Sequence, residues 1–271
     1  MQVYKYMDIG TAKPGEEIRK RIPHHCIDIL KPSEQYTVGN FVQKCDDLIP
    51  EIIKRGRIPV ISGGTGFYIK TFLSGLPETP PKNPKVRQKV FKDLETKGID
   101  VLFQELCEKD PVAGEKIRKN DIYRVTRAVE VIRDTGRPLS SFTAGNSLRK
   151  RYRCCLLGLS RDREELYSRI NRRVEQMFDS GLPDEVSGLI NMGFTAEDPG
   201  MKGIGYREFF EMEIAGCLQY KDVLEKIQQN TRRYAKRQIT FFKNIPHVQW
   251  HSPDDLKGIQ TCISNFLGGE I

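Results

Sequence analysis

A short glycine turn, Gly63-Gly64-Thr65-Gly66, contains the first residues of the chain whose types could do chemistry. Glycines have no side chains, so the backbone of such a turn can approach a ligand closely, and the following helix would present its N-terminus. The Thr65 hydroxyl could hydrogen-bond a phosphate or a reacting group. An ordinary strand-to-helix connection in a parallel sheet also explains such a turn. Both interpretations stay open at this point.

Residues 231–243 combine helical spacing with cations that no acidic residue opposes. The segment carries five basic side chains: Arg232, Arg233, Lys236, Arg237 and Lys243. Spacings of four, as between Arg233 and Arg237, place such residues along one stripe of a helix. Exposed helix faces usually mix both signs of charge, so this stripe predicts contact with phosphates. The alternative is a helix that is merely solvated.

A second basic pair, Arg124 and Arg127, follows Tyr123 in a segment with helical periodicity. The two arginines are three apart and can face one groove, while the tyrosine ring could stack on an unpaired base. Salt bridges to Glu130 and Asp134 would explain the arginines equally well. The residues alone do not separate RNA contact from pairing between helices.

Two further basic sets occur later in the chain. One predicted helix carries three arginines close together, with no acidic residue between them: Arg169, Arg172 and Arg173. Guanidinium groups match phosphate oxygens bidentately, so this set suits a diphosphate or a nucleic-acid backbone. Residues 202–207, Lys-Gly-Ile-Gly-Tyr-Arg, form a glycine-flexed basic turn that could clamp a backbone. Four basic clusters therefore accompany the glycine turn.

The overall charge agrees with a polyanionic partner, because 44 Lys and Arg residues stand against 36 Asp and Glu, for a net charge of +8. Charged residues make up 30% and hydrophobic residues 38%, as is usual for soluble globular proteins. No apolar run approaches the ~18 residues that a membrane span needs. The first residues also lack the apolar core of a signal peptide. We therefore expect a cytoplasmic protein without a membrane partner.

The seven cysteines are odd in number and scattered, with no C-x-x-C pair. This distribution argues against a disulfide framework and against structural zinc, and predicts reduced, mostly buried thiols. His24-His25 beside Cys26 could suggest metal ligands. Neighbouring side chains point in different directions, however, and no second ligand group follows at zinc spacing. We expect no metal site from these residues.

The glycine turn needs a strand before it and a helix after it, and the flanking sequence predicts both. Residues 41–54 read as an amphipathic helix, residues 57–62 as a short buried strand and residues 67–73 as a helix. A second strand is expected at residues 153–159, followed by a helix with Asp162 and further acids in its first turn. This order predicts an α/β fold with a parallel sheet.

A differently patterned region begins at four closely spaced prolines: Pro77, Pro80, Pro81 and Pro84. Residues 85–97 and 100–108 then predict two helices, and Asp110-Pro111 opens a third. Residues 121–134 resume helical periodicity, and residues 162–243 are largely helical. We therefore divide the chain into an α/β core at residues 1–79, a helical insertion at 80–119 and a second part of the core at 120–271, which carries the C-terminal basic helices.

Five sequence blocks link these features to a known family. In order they are Met7-Asp8-Ile9-Gly10-Thr11-Ala12-Lys13-Pro14, Pro23-His24-His25, Gly63-Gly64-Thr65, Gly203-Ile204-Gly205-Tyr206-Arg207 and Ala235-Lys236-Arg237-Gln238-Ile239-Thr240. The run closely resembles bacterial tRNA dimethylallyltransferases, also called isopentenyl-tRNA transferases. The resemblance extends over nearly the whole chain, to about Trp250. Five ordered blocks with matching gaps are very rarely shared by chance.

The resemblance implies a reaction, a fold and a set of partners. The reaction is transfer of a dimethylallyl group from dimethylallyl diphosphate to N6 of the adenine 3′ of the anticodon. The fold is a P-loop-NTPase-like parallel sheet flanked by helices, with the helical insertion gripping the tRNA anticodon stem-loop. A Mg²⁺ ion on the diphosphate is implied, and so is a target base flipped into a channel. We expect the chain to act as a monomer.

The resemblance also assigns individual residues. Thr65 matches the hydroxyl that lines the channel beside the flipped adenine, and Arg173 matches an arginine that contacts the diphosphate. These two are the expected catalytic residues. Gln2 matches the glutamine that holds the edge of the adenine. The remaining matches fall in tRNA-binding stretches: Arg87, Tyr123, Arg124, Arg127, Lys202, Gly203, Tyr206, Arg207, Lys236, Arg237, Thr240 and Lys243.

The chain departs from the family pattern at its start. The family's Asp-Ser pair, whose Asp is the expected general base, has no counterpart before Gln2, and no G-x-x-x-x-G-K-[ST] motif occurs in the 271 residues. That loop would hold the diphosphate through backbone N–H groups and a lysine. We therefore expect the first strand, the phosphate loop and the Mg²⁺ site to be absent from this chain.

Three hypotheses follow from the sequence. The first is a tRNA prenyltransferase whose sequence lacks its N-terminal segment. The second is a truncated, catalytically inactive chain that still binds tRNA through its basic helices. The third is an α/β protein resembling a small-molecule kinase, which an acid-free basic helix disfavours because such a kinase has no role for it.

Overall fold

A computed structural model describes residues 1–76, 79–142, 149–214, 216 and 219–269. Pro77 of the proline-rich stretch and Cys217 lie outside the described residues. The chain divides into two compact units. The sheet unit comprises Met1–Lys70 and Tyr152–Ile271, and the helical unit comprises Thr71–Arg151.

Helices dominate the described chain. In chain order the elements are α1 (Glu16–Arg21), α2 (Val38–Lys54), α3 (Gly66–Ser74), α4 (Pro84–Lys109), α5 (Pro111–Lys116), α6 (Ile122–Thr135), a 3-10 turn (Leu139–Phe142), β1 (Leu157–Leu159), α7 (Arg163–Asp179), α8 (Leu182–Asn191), α9 (Arg207–Ile214), α10 (Tyr220–Lys243), β2 (Gln249–His251) and α11 (Leu256–Gly268).

The strands of the sheet unit pair in parallel, as the sequence predicts. β1 lies beside β2, with Leu157 opposite Gln249 and Leu159 opposite His251. An isolated parallel bridge joins Tyr4 to Leu30. The strand predicted at residues 153–159 is therefore confirmed over its last three residues. The two elements lie about 90 residues apart in the chain, as the helical crossovers of an α/β fold require.

The strand predicted at residues 57–62 is not formed, and this prediction is wrong for the described chain. The segment has no regular secondary structure and pairs with no described strand, and most of its side chains face solvent; Val60 is 82% exposed. An apolar run becomes a strand only when neighbouring strands accept its backbone hydrogen bonds. Without such neighbours the apolar pattern alone does not hold it in a sheet.

The predicted helices around the glycine turn and after β1 are confirmed, and local capping explains where they begin. Thr37 caps α2 in a reciprocal pair with Asn40, and the Asp162 carboxylate accepts a hydrogen bond from the first turn of α7. α3 starts directly after Thr65, within one residue of the prediction. These caps satisfy backbone N–H groups that the helices themselves leave without acceptors.

The core of the sheet unit is formed mainly by helices α7 to α10 and the first residues of the chain. Its fully buried side chains include Met7, Leu182, Met201, Tyr206 and Val223. α7 packs along α10, while α9 packs on α10. This packing leaves the opposite side of α10 available to solvent and to partners.

The helical unit is built on α4 and α6, which share one apolar core around Val90, Leu102, Leu106 and Val129. Gly98 kinks α4 with a φ of 78°, which divides it into the two helices that the sequence predicts. Because α6 packs on α4, the unit extends to Arg151. The insertion expected from the sequence ended at residue 119 and so left α6 outside it. Helical periodicity locates helices but does not show which of them share a core.

Candidate functional site

The glycine turn lies in the sheet unit and leads into α3, and both Gly63 and Thr65 are exposed. The Thr65 carbonyl accepts hydrogen bonds from the backbone N–H groups of Tyr68 and Ile69, 3.0 and 3.2 Å away. The Thr65 hydroxyl has no partner among the described residues. It is therefore available to a ligand, as its expected role requires.

Helix α10 packs directly against this turn. The Gln238 side-chain N–H group donates to the Gly64 carbonyl over 2.7 Å. A Cβ on Gly64 would lie 2.0 Å from Gln238 Nε2, and a Cβ on Gly66 would lie 2.3 Å from Phe241 Cδ1. Gln238 and Phe241, one turn apart on α10, approach the backbone so closely that a side chain on either glycine would displace them. The turn is therefore more than a generic connection.

The opposite face of α10 is basic and exposed. We define the basic face as Arg233, Lys236, Arg237, Thr240 and Lys243, all of which are exposed. None of its four cations forms an ion pair within the part of the chain that the structure describes. The Thr240 hydroxyl donates to the Lys236 carbonyl at 3.0 Å. Four unpaired cations on one helix face give a positive surface suited to phosphates.

Arg232 belongs to the same acid-free segment but points elsewhere. Its guanidinium donates to the Asn171 side chain of α7 at 2.6 Å. Gln228, one turn earlier on α10, reaches the Asn171 carbonyl at 3.2 Å. These bonds fix α10 on α7, so Arg232 serves packing rather than the basic face.

Arg173 lines an open cavity of about 350 Å³ between α7 and the loop after Gln2. The lining residues are Asp8, Ile9, Ala12, Lys13, Arg173, Gln176, Met177 and Ser180. The buried Lys13 ammonium is already paired with Asp8 and Asp28, both at 2.5 Å. Arg173 is exposed and makes no ion pair among the described residues. Its charge is the one in this cavity that an anion can meet without breaking an existing pair.

Gln2 is anchored at the same loop. Its side-chain N–H group donates to the carbonyls of Thr11 and Ala12, at 3.2 and 3.1 Å. The side-chain oxygen of Gln2 is left without a partner in the described chain. An amide held in this way presents an acceptor in a defined direction, as the expected contact with a base edge requires.

Glu185, on α8, is a residue that the sequence reading missed. One carboxylate oxygen accepts from the backbone N–H groups of Asp8 and Ile9, at 2.8 and 2.7 Å. The other accepts from the Gly10 N–H group at 3.2 Å and from the Tyr206 hydroxyl at 2.6 Å. Glu185 thus joins two of the ordered sequence blocks. In the sequence, Glu185 is one acid in the first turn of the helix that follows Gly181. Acids at such positions usually stabilise the N-terminus of their own helix, so the sequence did not predict these long-range hydrogen bonds.

Tyr206 requires a correction. The sequence placed it among the tRNA-binding residues, but its side chain is fully buried in the core of the sheet unit. Burial and the nearby Glu185 carboxylate raise the pKa of Tyr206 far above its ordinary range, so it remains a neutral donor to that carboxylate. A buried ring cannot stack on or bond to an RNA, so Tyr206 supports the basic turn from beneath.

The rest of that turn reaches the surface. Lys202 is exposed and pairs with Glu197 at 3.0 Å, an exposed pair that phosphate could displace. Arg207 is partly exposed and approaches Glu208 at 3.3 Å. Gly203 is partly exposed beside Lys202. These three residues remain accessible for the contact predicted from the sequence.

In the helical unit, Glu130 organises two of the predicted arginines. This buried carboxylate receives Arg87 at 3.2 Å and Arg127 at 3.3 Å. Arg127 also donates to the Pro80 carbonyl at 2.6 Å, so its guanidinium is largely occupied inside the protein. The salt-bridge interpretation of Arg127 is therefore confirmed with Glu130. RNA contact by Arg127 would need these bonds to be rearranged.

Tyr123 and Arg124 remain at the surface of the helical unit. Tyr123 is 64% exposed, with the Lys82 ammonium 5.9 Å from its ring centre. Arg124 pairs with Asp121 at 3.3 Å and does not reach Glu130 or Asp134. An exposed ring beside a cation can stack on a base and contact its phosphate.

Two features are absent from the residues that the structure describes. No group of three or more His, Cys, Asp and Glu side chains in these ranges is arranged to hold a metal ion. Within the same ranges, no helix is both long and apolar enough to cross a membrane.

Sequence comparison shows the family. A model described as IPP transferase matches residues 2–245. The tRNA dimethylallyltransferase of Geobacter sulfurreducens is 40% identical over 270 residues, which cover 99% of this chain and 86% of that protein. The tRNA dimethylallyltransferase of Borreliella burgdorferi is 39% identical over 264 residues, with 97% and 86% covered.

Solved structures agree with this result. A tRNA isopentenylpyrophosphate transferase from Staphylococcus epidermidis is 35% identical with a TM-score of 0.66, covering 98% of this chain and 88% of that one. A eukaryotic dimethylallyltransferase acting on tRNA is 28% identical with a TM-score of 0.82, covering 99% and 71%. The α/β fold class and the class of prenyl-transferring enzyme are thereby confirmed. This chain belongs to the IPP transferase family.

Proposed function

We propose that this protein transfers a dimethylallyl group from dimethylallyl diphosphate to N6 of the adenine 3′ of the anticodon in tRNA. The observation that carries the proposal is the contact of α10 with the glycine turn. One helix presents four unpaired cations outwards and holds the turn bearing the unpartnered Thr65 hydroxyl on its other side. One helix thus carries cations suited to phosphates on one side and, on the other, holds a group that can bond a reacting base or diphosphate.

In the transfer, a bond forms between the adenine N6 and C1 of the dimethylallyl group while the bond from C1 to the diphosphate oxygen breaks. N6 gives its proton to water, and the departing diphosphate takes the bonding electron pair. Arg173, exposed and unpaired at its cavity, supplies positive charge for that leaving group. Thr65 positions the reacting groups, and the Gln2 side-chain oxygen accepts from the edge of the adenine.

Each unit contains residues that we propose contact tRNA. In the sheet unit the proposed contacts are Lys202, Gly203, Arg207, Lys236, Arg237, Thr240 and Lys243. In the helical unit they are Arg87, Tyr123, Arg124 and, after rearrangement, Arg127. All of these residues are exposed or partly exposed, but the guanidinium of Arg127 is bonded inside the protein to Glu130 and to the Pro80 carbonyl. An anticodon stem-loop suits these residues, because it offers an unpaired base that can be flipped out and backbone phosphates on either side of that base.

We also propose that Mg²⁺ accompanies the diphosphate and that the protein acts as a cytoplasmic monomer. Metal binding to the diphosphate oxygens themselves would suit a hard divalent cation. The described residues hold no acidic or histidine cluster that fits this ion, so none of the residue roles above depends on it.

The test is a transfer assay with an anticodon stem-loop RNA, dimethylallyl diphosphate and magnesium, together with a direct measurement of RNA affinity. We expect transfer to the adenine 3′ of the anticodon. Thr65→Ala should lower the transfer rate about tenfold or more, the value of a hydrogen bond to a charged group, while the RNA Kd stays within about twofold. The matched control is Thr231→Ala, which removes a hydroxyl that is bonded within α10, to the Ile227 carbonyl at 2.7 Å, and lies outside the proposed tRNA contacts.

Two results would count against the proposal. Equal losses of transfer and RNA affinity in Thr65→Ala would contradict the role assigned to Thr65. RNA binding with no transfer by the wild-type protein would favour a chain that only binds tRNA.

A further inference from the structure

We propose that Gln238 is a positioning residue, which fixes the glycine turn, and with it the Thr65 hydroxyl, to the helix that carries the basic face. This inference rests on the proposed function for its catalytic consequence. The hydrogen bond of 2.7 Å from Gln238 Nε2 to the Gly64 carbonyl is its starting point. A carbonyl only accepts hydrogen bonds, so the amide nitrogen must face it.

This bond matters for the turn because few other polar contacts with described residues hold it, although the Phe241 ring also packs on Gly66. The segment before it, residues 57–62, lies in no strand of the described chain, and its apolar side chains are exposed. No backbone hydrogen bond from residues 58–64 to other described parts of the chain replaces the missing strand contacts. On the other side of the turn, the Thr65 carbonyl accepts the first backbone hydrogen bonds of α3, from Tyr68 and Ile69. Gln238 therefore supplies the polar anchor between these two segments.

The fit of the glycines shows that the contact is specific. A Cβ on Gly64 would collide with the Gln238 amide at 2.0 Å, whereas a Cβ on Gly63 would meet no atom within 4 Å. The sequence therefore has a glycine where Gln238 needs the space, and the neighbouring Gly63 provides a matched position that does not. Comparing Gly64→Ala with Gly63→Ala therefore separates the loss of the Gln238 hydrogen bond from a general effect of adding a methyl group.

The position of Gln238 in the helix gives the contact its functional meaning. Lys236 and Arg237 immediately precede it and are exposed, while Gln238 is partly buried against the turn. RNA phosphates bound to the basic face would thus restrain the same turn of α10 that holds Gly64. Gln238 links RNA binding on one side of the helix to the placement of Thr65 on the other.

The first experiment needs no RNA. Hydrogen exchange at the Tyr68 and Ile69 amides, which bond to the Thr65 carbonyl, reports whether the turn stays in place. Gln238→Met keeps the side-chain length but removes the donor, and should speed this exchange about threefold to tenfold, the value of one hydrogen bond. The control Gln228→Met removes the same group from α10 where it faces α7 and should leave these amides unchanged. Unchanged exchange in Gln238→Met would overturn the proposal.

Gly64→Ala and Gly63→Ala provide a second, independent arm if Gln238→Met folds poorly. Gly64→Ala should speed exchange at the same amides by a similar factor, and Gly63→Ala should not. Equal behaviour of the two alanine variants would overturn the proposal, since the clash that distinguishes them involves Gln238.

The last arm addresses the reaction. In single-turnover transfer, Gln238→Met should lower the rate about threefold to tenfold, with the RNA Kd within about twofold of wild type. A matching loss of RNA affinity would make Gln238 an RNA contact and overturn its positioning role. If the wild-type protein transfers nothing, the proposed function fails, while the exchange experiments still decide whether Gln238 holds the turn.

Discussion

At the scale of single residues, Glu185 shows how one side chain can organise distant segments. Its two carboxylate oxygens accept hydrogen bonds from three successive backbone N–H groups and from the Tyr206 hydroxyl. The loop it holds also carries the carbonyls that anchor Gln2 and the residues that line the Arg173 cavity. Glu185 therefore shapes two proposed ligand contacts without touching a ligand itself.

Replacing Glu185 by alanine should be costly, because four donors would lose their acceptor at once. We expect Glu185→Ala to lower the free energy of unfolding by about 2–4 kcal/mol, the range for unsatisfied partly buried donors. Urea unfolding measures this change. Asp184→Ala removes the exposed carboxylate next to it and should change stability by less than ~0.5 kcal/mol. Comparable losses in both variants would contradict the special role of Glu185.

At the scale of elements, α10 performs two tasks on two faces. Its inner side packs on α7 through Gln228 and Arg232 and on the glycine turn through Gln238. Its outer side is the basic face, whose cations have no carboxylate partners among the described residues. An amphipathic helix normally buries apolar groups and solvates mixed charges. Unopposed cations on its exposed face instead make α10 the strongest candidate for RNA phosphate contact.

The salt dependence of RNA binding tests this assignment. Each cation removed from a phosphate contact lowers the slope of log K against log[salt] by roughly 0.7–0.9. The double variant Lys236→Gln/Lys243→Gln should therefore lower the slope for an anticodon stem-loop by roughly 1.5. Lys221→Gln, in the first turn of α10, is the control and should leave the slope unchanged. An unaltered slope in the double variant would remove the basic face from the RNA interface.

At the scale of the whole molecule, two units with separate cores make up the chain. Within the helical unit, Arg133 of α6 donates to Glu105 at 2.5 Å and to Asp93 at 2.7 Å on α4. The hydrogen bond from Arg133 is the main reason that the pKa of Glu105 lies below its ordinary value of 4.5. This pairing ties α6 to α4 and makes the stability of the unit depend on pH.

A carboxyl whose pKa is lowered by folding stabilises the fold above its unfolded pKa and loses that contribution as the pH falls through the folded value. Near neutral pH, Glu105→Gln should lower the stability of the helical unit by roughly 0.5–1 kcal/mol, as for a partly exposed ion pair. The difference from wild type should vanish as the pH falls through the folded pKa of Glu105, which lies below 4.5. Thermal unfolding followed over a pH series measures it, with the exposed Glu95→Gln as control. A difference that persists in acid would exclude the ion pair as its cause.

The amino-acid sequence by itself determined the features that depend on neighbouring residues. Periodicity located the helices at residues 38–54 and 122–135, the acids at and after Asp162 marked the start of α7, and the break between residues 97 and 100 matched the kink at Gly98. Five ordered blocks were enough for the family. Local signals succeed here because helix bonds and caps join residues only a few positions apart.

Only the tertiary structure decided the contacts between distant segments. Glu185 bonds backbone groups about 175 residues away, and Gln238 lies 174 residues from Gly64. In the sequence, these side chains look like any solvated acid or amide on a helix. For the same reason, the sequence did not predict that Tyr206 is buried or that residues 57–62 form no strand. Burial and pairing depend on which surfaces meet in space, and spacing along the chain does not encode that directly.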